Sequence, residues 1–188
     1  IDSSTKQIAN LLKINPKEVI YTSGSSESNN LALKGICDKY SNRGKHIITT
    51  SLEHSSIYGP LDYLIDKGFT VDFVKLDEYG RVDLNDLEKL ITDDTILVSI
   101  NAVNSEVGIL QPIDEIANIV HKNKKCFFHS DMTQAIGKIN IDIKNVDLVS
   151  FSAHKFFGIK GIGVLIKKDT INLTDEQKNK LKQIFLTE

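Results

Sequence analysis

The chain has 188 residues, 40% of them hydrophobic and 26% charged, the composition of a globular domain with a core of its own, which excludes disordered, collagen-like and low-complexity classes. Its 23 basic and 25 acidic side chains leave a formal charge of -2, so nothing in the charge balance points to nucleic acid or an anionic membrane as a partner. No apolar run is long enough for a transmembrane helix or a signal-peptide core, and Cys37 and Cys126 support neither a disulfide framework nor a C-x-x-C metal site, which fits a reducing compartment.

Ser3 and Ser4 offer caps for a first helix that runs to about Lys13 and turns Ile8, Leu11 and Leu12 inward. The short run Val19-Ile20-Tyr21 reads as a strand, followed by a helix over 26–40 that stops near Gly44. A strand over 46–50, a helix over 55–67 ended by Gly68, a strand over 69–75 and a helix over 83–91 capped by Asp83 come next. Beyond them lie a strand over 95–101, a helix over 113–122 entered through Pro112, and strands over 126–131, 147–152 and 162–167. This alternation predicts an α/β fold, a three-layer α/β/α sandwich with a mainly parallel sheet, over residues 1–168. From 169 to 188 the chain turns polar, and Thr174 is placed to cap a terminal helix that docks by the edge carrying Leu181, Ile184, Phe185 and Leu186.

In open α/β sheets ligands bind beyond the carboxyl ends of the strands, and here five of those ends carry reactive or polar groups. Ser23-Gly24-Ser25-Ser26 opens a helix after the first strand, where free N–H groups and the helix dipole suit a phosphate. It is neither a P-loop nor G-x-G-x-x-G, so a nucleotide reading is not supported, and ordinary helix capping is the alternative for the segment alone. Glu53-His54 follows the strand over 46–50, and Asn104 follows the strand over 95–101. Asp131 ends the apolar strand that begins Cys126-Phe127-Phe128, a place where a carboxylate requires a cation or several donors; a protonated pyridine, a buried Lys or a capping role would each answer. Ser152-Ala153-His154-Lys155 precedes Gly158, Gly161 and Gly163, and a Lys desolvated there would act as a nucleophile.

One cofactor uses all of these together. Pyridoxal phosphate requires a lysine for its Schiff base, a carboxylate for its ring nitrogen, a cradle for its phosphate, a donor for its phenolic oxygen and a flat group over its ring. Lys155, Asp131, Gly24 to Ser26 with Ser152 and His154, Gln134 and His54 are the candidates in that order.

The stretches TSGSSESNNLALKG (22–35), HIITTSLEH (46–54), DDTILVSINAVNSEVGILQPI (93–113), HSDMTQAIGKINID (129–142) and DLVSFSAHKFFGIKGIGVL (147–165) resemble the cysteine desulfurases of the class V aminotransferase group, enzymes of pyridoxal-phosphate fold type I. The correspondence runs in order from near residue 3 to about 168. It implies Lys155 as the Schiff-base lysine, His54 over the ring, Asp131 at the ring nitrogen, Gln134 at the phenolic oxygen, and Asn104 beside cofactor and substrate carboxylate. Gly24, Ser25, Ser26, Ser152 and His154 would hold the phosphate. It further implies L-cysteine as substrate, alanine and an enzyme persulfide as products, an iron–sulfur scaffold or other sulfur acceptor as partner, and a homodimer. The compartment implied is the bacterial cytoplasm, or the mitochondrial matrix or plastid.

Ser26, Met132, Ala153 and Ile159 depart from that family's usual Thr, Ala, Gly and Pro, and the bulk of Met132 beside Asp131 is expected to shift the ring. No counterpart of the sulfur-accepting Cys or of the substrate-gripping Arg is found, since Arg43 and Arg81 follow no strand of the site. The chain therefore reads as the cofactor-binding large domain alone, truncated at both ends and inactive in turnover. A selenocysteine lyase or another class V transaminase would share these residues; a non-catalytic structural or partner-binding domain and an unrelated phosphate-binding α/β protein are the other readings.

Overall fold

The computed structural model describes residues 2–172; the terminal helix expected after Thr174 lies outside them. Seven strands and five α-helices follow one another along the chain: α1 (Asp2–Leu12), β1 (Val19–Thr22), α2 (Ser25–Tyr40), β2 (His46–Thr49), α3 (Ser55–Asp66), β3 (Thr70–Phe73), α4 (Leu84–Leu90), β4 (Thr95–Ser99), α5 (Ile113–Val120), β5 (Phe127–Asp131), β6 (Leu148–Ser152) and β7 (Gly163–Lys167). Two 3-10 turns, Pro16–Glu18 and Ala153–Phe156, were not anticipated; neither is long enough to show helical periodicity in sequence.

The strands form one sheet in the order β1-β7-β6-β5-β4-β2-β3. β6, β5, β4, β2 and β3 run parallel, while β7 is antiparallel to both of its neighbours, β6 and β1. The four helices that join successive strands, α2 to α5, thus give the mainly parallel sheet of the α/β/α sandwich, with one reversed strand inserted near its edge. Because its central strands are covered on both faces, β2, β4, β5 and β6 are buried along almost their whole length, while the edge strand β3 is largely exposed. Along β6, Leu148 enters the layer formed with α2 and α3, while Val149 and Phe151 enter the layer formed with α4 and α5. β7 does the same with Leu165 against Val164 and Ile166. Phe128 is fully buried in the second layer, and burial of a side chain of this size contributes about 1.5–3 kcal/mol.

The local signals behave as their chemistry dictates, with three exceptions. Asp83 accepts hydrogen bonds from the amides of Asn85 and Asp86 at the start of α4, and Gly68 follows α3 at φ +84°, a conformation that favours glycine. Ser3 and Ser4, however, lie inside the first turn of α1 rather than before it. Leu11 is 74% exposed; Ala9 takes its place on the inward face with Ile8 and Leu12. Gly44 is not the stop of α2 but a point of close approach, since a Cβ there would lie 2.1 Å from the Asp94 carbonyl oxygen. Among the described residues no helix is long and apolar enough to cross a membrane.

Candidate active site

The carboxyl ends of β1, β2, β4, β5 and β6 open on one cleft of about 470 Å³. Its wall takes Gly24, Ser25 and Ser26 from the first end, His54 from the second, Asn101 from the third, Asp131 and Gln134 from the fourth, and Ser152, His154 and Lys155 from the fifth. Nine of the ten residues expected from sequence are therefore brought together. Asn104 is the one left off the wall. It is buried, its amide nitrogen donates to the Leu52 carbonyl at 2.7 Å, and its oxygen accepts from the amides of Glu106 and Val107. Its side chain is thereby committed to holding the turn after β4.

The candidate phosphate cradle lies at a junction of three strands. The Ser25 amide donates to Ser152 Oγ at 2.7 Å, joining the start of α2 to the end of β6. Between them β7 begins at Gly163, paired with Thr22 on one side and Ser152 on the other. A Cβ at Gly163 would lie 2.4 Å from the Gly24 carbonyl carbon and 2.6 Å from Thr22 Oγ1. The absence of a side chain there is what lets the Gly24 loop settle. First-turn amides of α2 have no acceptor within the helix, so this junction presents donors where an anion is favoured.

Asp131 is 7% exposed, and no ion pair among the described residues involves it. Instead its Oδ2 accepts from Asn29 Nδ2 at 2.8 Å and its Oδ1 from the Thr133 amide at 2.9 Å. Two buried ionisable groups that feel the charge of Asp131 are both held toward their neutral forms. His129, one layer beneath on β5, is bracketed by Ser99 Oγ and Ser150 Oγ, and burial pushes it down to about 4 against the opposing pull of Asp131. Glu53 is pushed up to about 8, chiefly by burial and further by Asp131, although the Asn101 amide and Thr50 Oγ both donate to it. With no charge supplied by either, the demand of Asp131 for a cation is directed into the cleft.

Glu53 carries a testable pH dependence. The folded chain holds its proton more tightly than the unfolded chain, so stability is expected to fall as pH rises from the ordinary 4.5 toward about 8. Glu53→Gln retains the acceptor for Thr50 and Asn101 and is expected to flatten that part of a stability-against-pH curve measured by urea unfolding. An undiminished slope in the variant would assign it to another group.

The remaining candidates line the cleft with differing degrees of freedom. His54 caps α3, its Nδ1 accepting from the Ser56 amide. Gln134 Oε1 accepts from Lys138 Nζ. His154 and Lys155 are exposed on the 3-10 turn after β6, so Lys155 does not have the desolvated environment that would make it a nucleophile by burial. Met132 does not crowd the ring position. Successive residues of a strand face opposite ways, and Met132 is fully buried in the layer with α5, away from Asn29 and Asp131.

Asn29, Ser56 and Asn101 escaped the reading of the sequence. Asn29 had a visible signal, because it shares a helical stripe with the fully buried Leu33 and Ile36. Among the described residues, four buried side-chain oxygens lack a partner: Asn29 Oδ1, Asn101 Oδ1, Ser130 Oγ and Thr133 Oγ1. Asn29 and Thr133 bond to Asp131, and Thr133 and Asn101 line the cleft, so for three of the four the unmet hydrogen-bonding capacity lies where a polar ligand would sit.

Residues 1–178 match the family described as aminotransferase class-V. The chain belongs to that family. It is 50% identical over 167 residues to the cysteine desulfurase IscS of Buchnera aphidicola, covering 88% of this chain and 41% of the relative. It is 46% identical over 167 residues to the mitochondrial cysteine desulfurase of Saccharomyces cerevisiae, covering 88% and 33%. Among solved structures, a NifS-like protein superimposes with a TM-score of 0.88 at 41% identity, covering 91% of this chain and 48% of the other. SspA in complex with cysteine superimposes at 0.85 and 36% identity, covering 90% and 50%. This member of the family thus spans about two-fifths of the length of its bacterial relative.

Proposed function

We infer that this chain carries the pyridoxal-phosphate site of a cysteine desulfurase, and that the protein it serves takes sulfur from L-cysteine for an iron–sulfur scaffold or another acceptor. The observation that carries the reading is the convergence of a lysine, a buried carboxylate lacking a cation, an imidazole and an anion cradle on one cleft. Bound there, pyridoxal phosphate supplies an aldehyde for condensation with amines and an electron sink for cleavage at Cα.

In this reading Lys155 presents its exposed amine for covalent attachment, and Asp131 accepts from the ring N–H with the lone pairs that Asn29 and Thr133 leave free. His54 would lie over the ring, and Gln134 would serve the phenolic oxygen. Gly24, Ser25, Ser26, Ser152 and His154 receive the phosphate, while Asn104 acts on the substrate carboxylate indirectly, through the turn it holds.

The sulfur step belongs to other groups. Cys37 and Cys126 are buried, and burial pushes both thiols well above their ordinary range, so neither offers a thiolate to substrate sulfur. Arg43 stacks on Tyr40 and is absent from the cleft wall. We therefore assign the sulfur-accepting thiolate and the carboxylate-binding cation to protein beyond residues 1–168, and the assembled enzyme to a homodimer. Free cysteines and the bacterial and mitochondrial names of the relatives support a bacterial cytoplasm or a mitochondrial matrix.

Titration of the purified chain with pyridoxal phosphate, followed by borohydride reduction and peptide mapping, tests the site. A saturable change in cofactor absorbance and a reduced adduct on the peptide containing Lys155 are expected, without sustained alanine release from cysteine. No saturable binding, or alanine release with persulfide on Cys37 or Cys126, would overturn the reading.

A further inference from the structure

Asp131 and His54 stand on different strand ends, yet one hydrogen-bonded chain joins them. Asn29 Nδ2 lies 2.8 Å from Asp131 Oδ2 and 2.9 Å from Ser56 Oγ, and Ser56 Oγ lies 2.9 Å from His54 Nδ1. A carboxylate only accepts, so the Asn29 atom facing Asp131 is the amide nitrogen, and its second hydrogen goes to Ser56 Oγ. The Ser56 hydroxyl hydrogen is then free for His54. The Ser56 backbone amide also donates to His54 Nδ1, at 3.2 Å. A backbone N–H cannot rotate into an acceptor, so a proton on Nδ1 would set two donors against each other. In the neutral ring Nδ1 must accept, and the proton resides on Nε2.

Resting on the cofactor assignment above, we propose that Asn29 and Ser56 are positioning residues that fix His54 in the Nε2–H tautomer and tie it to Asp131. The neutral ring then has a donor at Nε2 and its only acceptor nitrogen already occupied. His54 then presents its Nε2–H as a flat donor over the cofactor. Asn29 is fully buried with Oδ1 unpartnered, so the whole of its hydrogen bonding is spent on this connection.

The tautomer is read directly from nitrogen-15 resonances of labelled histidine in the cofactor-free chain. His54 is expected to show Nδ1 in the unprotonated range and Nε2 in the protonated range. Ser56→Ala removes the hydroxyl donor but keeps the backbone one, so it is expected to shift the Nδ1 resonance downfield while leaving Nε2 in the protonated range, and Ser56→Thr, which keeps the hydroxyl, to restore it. Asn29→Leu is expected to produce a smaller shift in the same direction and to weaken pyridoxal phosphate affinity about tenfold, the scale of one lost hydrogen bond to a charged group. A wild-type His54 protonated on Nδ1, or resonances unmoved by Ser56→Ala, would overturn the relay. Absence of cofactor binding with the tautomer pattern intact would instead overturn the functional reading and leave the relay standing.

Discussion

Lys155→Ala is expected to abolish the borohydride-stable adduct completely, because among the described residues the ε-amine of Lys155 is the one that both follows β6 and lines the cleft. The side chain is exposed and makes no ion pair with another described residue, so stability should change by less than about 0.5 kcal/mol, the usual range for such surface positions. Non-covalent binding through the phosphate and ring contacts should persist at reduced affinity. Lys155→Arg separates charge from covalency: a guanidinium keeps the positive charge but stays protonated, so it should also lose the adduct. Measurement is by mass of the reduced protein and its peptides. An adduct of undiminished yield in Lys155→Ala, carried for instance by Lys160, would displace Lys155 from its assigned role.

Gly163→Ala should have the second-largest effect, and through backbone alone. Its Cβ would meet Gly24 carbon atoms at 2.4 and 2.5 Å and Thr22 Oγ1 at 2.6 Å, distances that no rotamer relieves because two of the three contacts are main chain. The end of β1 must move away from β7, which draws the Ser25 amide off Ser152 Oγ and opens the cradle. Overpacking of this kind costs about 1–3 kcal/mol, so we expect a matching loss of stability and up to about a hundredfold loss of pyridoxal phosphate affinity. Gly59→Ala is the control. A Cβ there, within α3, meets nothing within 4 Å outside its chain neighbours, so any effect of that substitution stays local to the turn before Pro60 and cofactor affinity should be unchanged. Wild-type affinity in Gly163→Ala would show that the cradle does not depend on this close approach.

Both expectations combine positions visible in the sequence with contacts that are not. Hydrophobic periodicity and turn chemistry are properties of neighbouring residues, so the order of strands and helices, the Asp83 and Gly68 signals and the polar groups at five strand ends could be read from the chain itself. The same locality is why the Schiff-base, ring-nitrogen and phosphate candidates were legible: each sits where its own strand stops.

What only the tertiary structure decided are the terms between distant residues. The insertion of β7 antiparallel between β1 and β6 depends on pairing and not on composition. Asn29 meets Asp131 across 102 positions, and Ser25 meets Ser152 across 127; no spacing rule reaches that far. The face taken by Met132, the exposure of Lys155 and the turning of Asn104 into its own loop follow from which side of the sheet each backbone presents. The neutral states of Glu53 and His129 follow from burial that no one-dimensional pattern measures. Local sequence determines which groups arrive at the sheet edge, because helix and strand periods are short. Their charge state, partners and freedom are set by packing, because desolvation and hydrogen-bond geometry act through space.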